Sequence, residues 1–227
     1  MRWPPAEEKP NSAGAGPRRF GNSIGSSGVS DADSSLPPSG QSLSQAFRSL
    51  VAILDAHGVR YAIIGGIATI QHTRVRTTDD IDALLAVTQI AAPGLFQALE
   101  ASGFQVDPPR NIRELLDDGL TSIRFGDVLV DLMRPILPVY AHVLDGARRI
   151  EMLGQAVRIS SAEGLIVMKL IAFRPQDEAD IKDLLAANRG DLDLNHIRAE
   201  FATVADPDDP RWAKLESWIG AAPGEKA

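Results

Sequence analysis

The sequence predicts an α+β domain: a small mixed β-sheet with helices packed on it, followed by a helical C-terminal part. Three observations carry that expectation. Short apolar and β-branched runs bounded by glycine-containing turns recur up to about residue 160. Helically spaced apolar residues open the domain and take over again from Ser161. The chain has 227 residues of which 44% are hydrophobic, enough for one ordinary core.

The elements follow in order. Residues 1–41 are rich in Pro, Gly, Ser and Ala with few large apolar side chains, so they read as a disordered leader. Arg18-Arg19 lacks the apolar stretch that an export signal needs, which leaves a solvated tail. Folded structure is expected near Ser42, where Leu43, Phe47, Leu50, Val51 and Leu54 share a helical face that stops at Gly58. "VRYAII" reads as a strand, then Gly65-Gly66 and a short helix ending near His72, then "DIDALLAV" as a second strand. Residues 89–102 and "IRELLDDG" read as helices. "TSIRFGDVLVDLM" and "RRIEMLGQAVRIS" read as hairpins turning at Gly126-Asp127 and near Gly154-Gln155. Helices are expected over 161–173, 177–188, 194–204 and roughly 208–220, with Pro175 separating the first two. The resulting division is a core over 42–160, a helical segment over 161–220 and a tail over 221–227.

Composition excludes several classes. There is no cysteine, hence no disulfide and no thiolate metal site. His57, His72, His142 and His196 lie far apart without zinc spacing. No apolar run approaches the ~18 residues of a membrane span, and the expected location is the cytoplasm. The net charge of -7 disfavours nucleic acid as a partner of the whole surface, although a local basic cleft stays open.

Chemistry concentrates in "YAIIGGIATIQHTRVRTTDDIDALL", residues 61–85. On a strand, Asp80 and Asp82 project to one face about 7 Å apart at Cα, while Ile81 points into the core. Buried carboxylates that close require a cation or hydrogen-bond donors. Paired carboxylates with substrate phosphates are the usual place for Mg²⁺. Asp131, set mid-strand between Val130 and Leu132, supplies a third. Gly65-Gly66 lets a ligand approach the backbone, and the helix behind it offers free N–H groups to an anion. Taken singly, Gly-Gly is a turn, D-x-D is an exposed sheet face or a glycosyltransferase metal motif, and Asp131 is an edge residue. Asp79 points opposite to Asp80, and His72 has no evident partner in the sequence.

Gly65, Gly66, Asp80-Ile81-Asp82 and Asp131 resemble the signature of the DNA polymerase β-type nucleotidyltransferase superfamily. Gly65, Gly66, Ala68, His72, Arg76, Thr78, Asp80, Ile81 and Asp82 are similar to the pattern of its AbiEii/AbiGii toxin-type branch. Lys169, Arg174, Asp177 and Asp180 are similar to that branch's later Lys, R and D-x-x-D positions. Thr73 stands where relatives often carry Gly, and little chain follows residue 188 for binding a large acceptor.

The resemblance implies the nucleotidyltransferase fold and transfer of NMP from an NTP to an acceptor hydroxyl: an RNA or tRNA end, a protein or a small molecule. It implies Mg²⁺, as two ions with Mn²⁺ as the alternative, held by Asp80, Asp82 and Asp131, with Asp131 helping to deprotonate the attacking hydroxyl. Gly65 and Gly66 would cradle phosphates, Arg76 would contact phosphate or brace the carboxylates, its alternative being a surface arginine, and Lys169 would neutralise the leaving pyrophosphate. The alternative for Lys169 is a snorkelling stem; Asp177 and Asp180 would orient Lys169 or Arg174, or form a solvated helix face. A toxin role with a cognate antitoxin follows from the same branch. A nucleotide-binding sensor or antitoxin-like module with little turnover is the other reading of the fold.

Overall fold

The computed structural model describes residues 38–73 and 77–221. The expected leader up to residue 37, Arg76 and the tail from residue 222 lie outside the described residues. The chain opens with helix α1 (Pro38–Ala56), which starts four residues before the helix read from the apolar pattern. Then come strand β1 (Arg60–Ile64), α2 (Gly65–His72), β2 (Asp80–Ala86), α3 (Ala92–Ala101) and α4 (Pro108–Arg113). A π-helical turn, Glu114–Asp118, leads into the hairpin β3 (Leu120–Phe125) and β4 (Val128–Met133). Helix α5 (Pro138–Asp145), the hairpin β5 (Arg148–Met152) and β6 (Gln155–Ile159), and helices α6 (Ala162–Ala172), α7 (Pro175–Ala187), α8 (Leu194–Ala202) and α9 (Pro210–Ala221) complete the described chain.

The six strands form one mixed sheet in the order β3-β4-β2-β1-β6-β5. The pairs β2–β4 and β1–β6 are parallel and the other three are antiparallel. Crossovers through intervening elements are what parallel pairing demands. Tyr61 and Ile63 of β1, Ile81, Ala83 and Leu85 of β2, and Val130 and Leu132 of β4 alternate onto one face and are all essentially buried. The helices after β6 share this core: Leu165, Ile166 and Leu170 of α6, Ile181 and Leu184 of α7, Ile197 and Phe201 of α8 and Leu215 of α9 belong to the same buried cluster. No helix among the described residues is long and apolar enough to cross a membrane.

Three local readings change. Helix α5 was not expected, because its eight residues begin behind Pro138 and show one buried stripe of Val139, Tyr140, Val143 and Leu144 too short for a clear period. Pro175 does not merely break a helix; it occupies the first turn of α7, where a missing N–H costs nothing. The second hairpin turns at Leu153-Gly154, one residue earlier than expected, because Met152 pairs with Gln155. Both turn residues have positive φ, 52° at Leu153 and 76° at Gly154. That is the two-residue turn that matches strand twist, and Leu is a poor residue for it. Leu153→Asn is therefore expected to stabilise the protein by about 1 kcal/mol, measured as a higher urea midpoint with an unchanged slope.

Candidate active site

Strand register places the carboxylates together. Asp82 of β2 lies directly opposite Asp131 of β4, and Asp80 lies opposite Leu129, one pleat away on the same face. In-register neighbours point to the same side of a sheet and strands sit ~4.8 Å apart, so Asp82 and Asp131 are adjacent carboxylates. On the outer side of β4, Asp131 is paired with Ser122 of β3, whose Oγ donates to Asp131 Oδ1 at 2.6 Å. On the inner side, Asp82 is paired with Ile64, the last residue of β1. The row Ser122–Asp131–Asp82 thus ends at the Gly65-Gly66 turn. Asp80, Asp82 and Asp131 are partly exposed, whereas Asp79 is exposed and outside the row.

Both glycines are demanded by close approach. Gly65 has φ +61°, and a Cβ there would overlap the Asp82 carboxylate; a Cβ at Gly66 would overlap Thr78 Oγ1. The Gly66 backbone N–H hydrogen-bonds to Asp82. Helix α2 is then fixed at its other end, where His72 Nε2 donates to the Ser160 carbonyl at 2.8 Å and Asn188 Nδ2 donates to the His72 carbonyl at 3.0 Å. His72 has the structural partner that the sequence did not show.

Asp82 is raised from the ordinary aspartate range to about 6, first by burial, then by Asp131 and Asp80, against the Gly66 N–H and Arg174, which pull it down. The protein's own groups leave this carboxylate incompletely compensated. Among the described residues no three carboxylate or imidazole groups close into a ready-made metal cage. The donor set nevertheless fits Mg²⁺, which takes one or two carboxylates and completes its shell with water and substrate phosphates.

A second polar cluster stands behind Asp82. Lys169 of α6 is 7% exposed and its Nζ donates to Asp180 Oδ2 at 2.6 Å and Asp177 Oδ1 at 3.4 Å. Asp177, fully buried, accepts from the Arg174 backbone N–H at 2.9 Å and from its guanidinium at 3.0 and 3.3 Å. Burial works to raise Asp177, but the bonds from Arg174 and the nearby Lys169 outweigh it and hold the carboxyl below its ordinary value. Arg174 feels Asp177 most, and Asp82 and Asp180 as well, so its charge reaches from this cluster to the carboxylate row. The turn that delivers Arg174 is strained: Phe173 caps α6 with φ 47°, a costly conformation for a bulky residue. Arg211 braces it, donating to the Leu170 carbonyl at 2.8 Å while its guanidinium lies over the Phe173 ring.

Similarity to known proteins bears on the family and the fold. A family model described as a nucleotidyltransferase of unknown function (DUF6036) matches residues 41–218. The chain belongs to this nucleotidyltransferase family. The solution structure of the antibiotic-resistance factor ANT(2'')-Ia aligns with a TM-score of 0.50 and 17% identity, over 78% of this chain and 96% of that one, and shows the shared fold. A nucleotidyltransferase-like antigenic protein from Paracoccidioides brasiliensis aligns at 19% identity, with a TM-score of 0.39, over 78% and 86% of the two chains. ANT(2'')-Ia in complex with adenylyl-2''-tobramycin aligns at 18%, with a TM-score of 0.42, over 78% and 95%. None of the curated proteins matches the chain.

In this family member Gly65, Gly66, Asp80, Asp82 and Asp131 converge, and Arg174, Asp177, Asp180 and Lys169 form the cluster behind them. Lys169 holds two buried carboxylates and is nearly closed to solvent. Arg76 lies outside the described residues. Sequence reading missed Ser122 and Phe173. The first was readable, because a two-residue turn at Gly126-Asp127 pairs Ser122 with Asp131 by simple counting. The second had no signal, since a phenylalanine with positive φ has no sequence signature.

Two outcomes follow. A carboxyl raised in the folded state costs stability when ionised: the cost is absent below its unfolded value near 4 and complete above about 6. In chelator, Asp82→Asn is therefore expected to gain of order 1–2 kcal/mol over the parent at pH 7–8 and nothing at pH 4, measured by urea unfolding across that range. Lys169→Met leaves Asp177 and Asp180 buried without their shared cation and is expected to cost roughly 3–5 kcal/mol, measured by the same method at pH 7.

Proposed function

We propose that the chain transfers NMP from an NTP to an acceptor hydroxyl in a reaction dependent on Mg²⁺ or Mn²⁺. The observation that carries this reading is the placing of Asp82 beside Asp131, with Asp80 one pleat away, next to a glycine turn that opens a helix. Asp80, Asp82 and Asp131 would hold the metal. When bound, divalent ions stabilise the entering and leaving oxygens of an in-line displacement at the α-phosphorus. The chain's residues do the rest. Asp131, at the rim, accepts the proton of the incoming hydroxyl. The Gly65-Gly66 turn leaves room at the start of α2 for the β and γ phosphates. Arg174 adds positive charge beside Asp82, and Lys169 acts as a positioning residue that locks the α6–α7 junction carrying Arg174.

The acceptor is an RNA end, a protein or a small molecule. ANT(2'')-Ia does not decide between them, because a likeness at this identity speaks for the fold and a fold hosts many substrates. The role of toxin paired with an antitoxin rests on the motif resemblance alone.

The test is to incubate purified protein with Mg²⁺, each α-labelled NTP in turn, and lysate fractions of RNA, protein and small molecules. Label is expected in one fraction, and is expected to vanish with chelator and in Asp80→Ala/Asp82→Ala. Intact NTP binding with no label in any fraction would instead identify a nucleotide-binding module.

A further inference from the structure

Around the site, the described hydroxyls mostly serve the backbone: Thr69 donates to the Gly65 carbonyl at 2.8 Å, Thr73 to the Thr69 carbonyl at 2.7 Å and Ser160 to the Ser161 carbonyl at 3.1 Å. Thr121 faces the opposite side of β3, buried, and donates to Glu114 at 2.7 Å. Ser122 differs from all of these. It is exposed, it lies on an edge strand, and its Oγ donates to the Asp131 carboxylate at 2.6 Å. A hydroxyl within about 2.6–3.2 Å of a carboxylate base is in the position from which its proton is abstracted. An incoming acceptor has to take that position at Asp131, and without one Ser122 already fills it.

We propose that Ser122 is a self-acceptor, so that the chain nucleotidylates its own Ser122 side chain when no other acceptor hydroxyl is present. This rests on the transferase activity proposed above. Ser122 Oγ attacks the α-phosphorus of the bound NTP, the Oγ–P bond forms, and the bond from the α-phosphorus to the bridging oxygen breaks. The hydroxyl proton passes to Asp131 and then to water, and pyrophosphate leaves. The product is a serine phosphodiester beside Asp131, which stops further transfer at that site. Labelling therefore saturates at one NMP per chain.

The experiment uses the full chain with Mg²⁺ and each NTP separately, without added acceptor, followed by intact mass and peptide mapping. Binding of the α,β-methylene analogue of each NTP with Mn²⁺, measured by calorimetry, runs alongside as a readout independent of turnover. The expected result is one NMP on Ser122, absent in Ser122→Ala with analogue binding unchanged, and retained in Ser122→Thr, which keeps the hydroxyl. Transfer to another acceptor with Ser122 unlabelled overturns the self-acceptor and leaves the transferase standing, as does label on a different residue. If Ser122→Ala loses analogue binding, an unlabelled Ser122→Thr that still binds the analogue overturns it. Absence of analogue binding in the parent chain refutes the transferase itself, and the self-acceptor falls with it.

Discussion

The contact of the Asp82 carboxylate with the Gly65-Gly66 backbone is the constraint on which the rest of the site depends. It leaves no room for a side chain at Gly65 and joins β2 to the start of α2 through the Gly66 N–H. Register then sets the remaining groups: once Asp82 is at that turn, pairing with β4 puts Asp131 beside it and pairing with β3 puts Ser122 next in line. A single close approach therefore positions groups from three neighbouring strands and the start of α2. It also explains why Asp82 is hard to ionise, since the approach that orders it removes much of its water.

The polar cluster behind the row resolves a related conflict. Buried carboxylates need partners, and Asp177 and Asp180 have them in Lys169 and Arg174. Such clusters contribute little net stability while breaking one is expensive. Their value here is geometric, because they fix the junction between α6 and α7 at Arg174. The strained Phe173 supports the same view: a left-handed phenylalanine persists only where surrounding contacts over-determine it, and Arg211, Lys214 and Trp218 all lie against its ring. Helix α9 thus reaches the site through contacts alone, without contributing a group to it.

Much of this was legible in the sequence for clear physical reasons. The strands that carry Asp80, Asp82 and Asp131 announce themselves because a carboxylate inside an apolar run has few explanations. The mixed sheet with helices, the Gly-Gly turn and the β3–β4 turn were readable from period and turn chemistry, and i, i+3 spacing put Asp177 and Asp180 on one helical face, whereas Lys169 was set beside them by the family resemblance alone. What escaped depends on distance in the chain or on unfavourable local chemistry. His72 finds Ser160 across the β1–β6 pairing, which no local pattern encodes. Helix α5 is too short for periodicity to speak. The Leu153 turn and Phe173 contradict local preference; at Phe173 the packing of Arg211, Lys214 and Trp218 decides the outcome.

The sheet order also has a consequence for the growing chain. Strands β1, β2, β3 and β4 all precede residue 134, so the three carboxylates can assemble while the remainder is still being made. Strand β1, however, takes its second neighbour from β6, and Arg174 follows later still. During synthesis from the N-terminus, one edge of β1 stays bare until the chain has passed Ile159. The residues of the carboxylate row are therefore all synthesised before either its covering strand or its cationic neighbour.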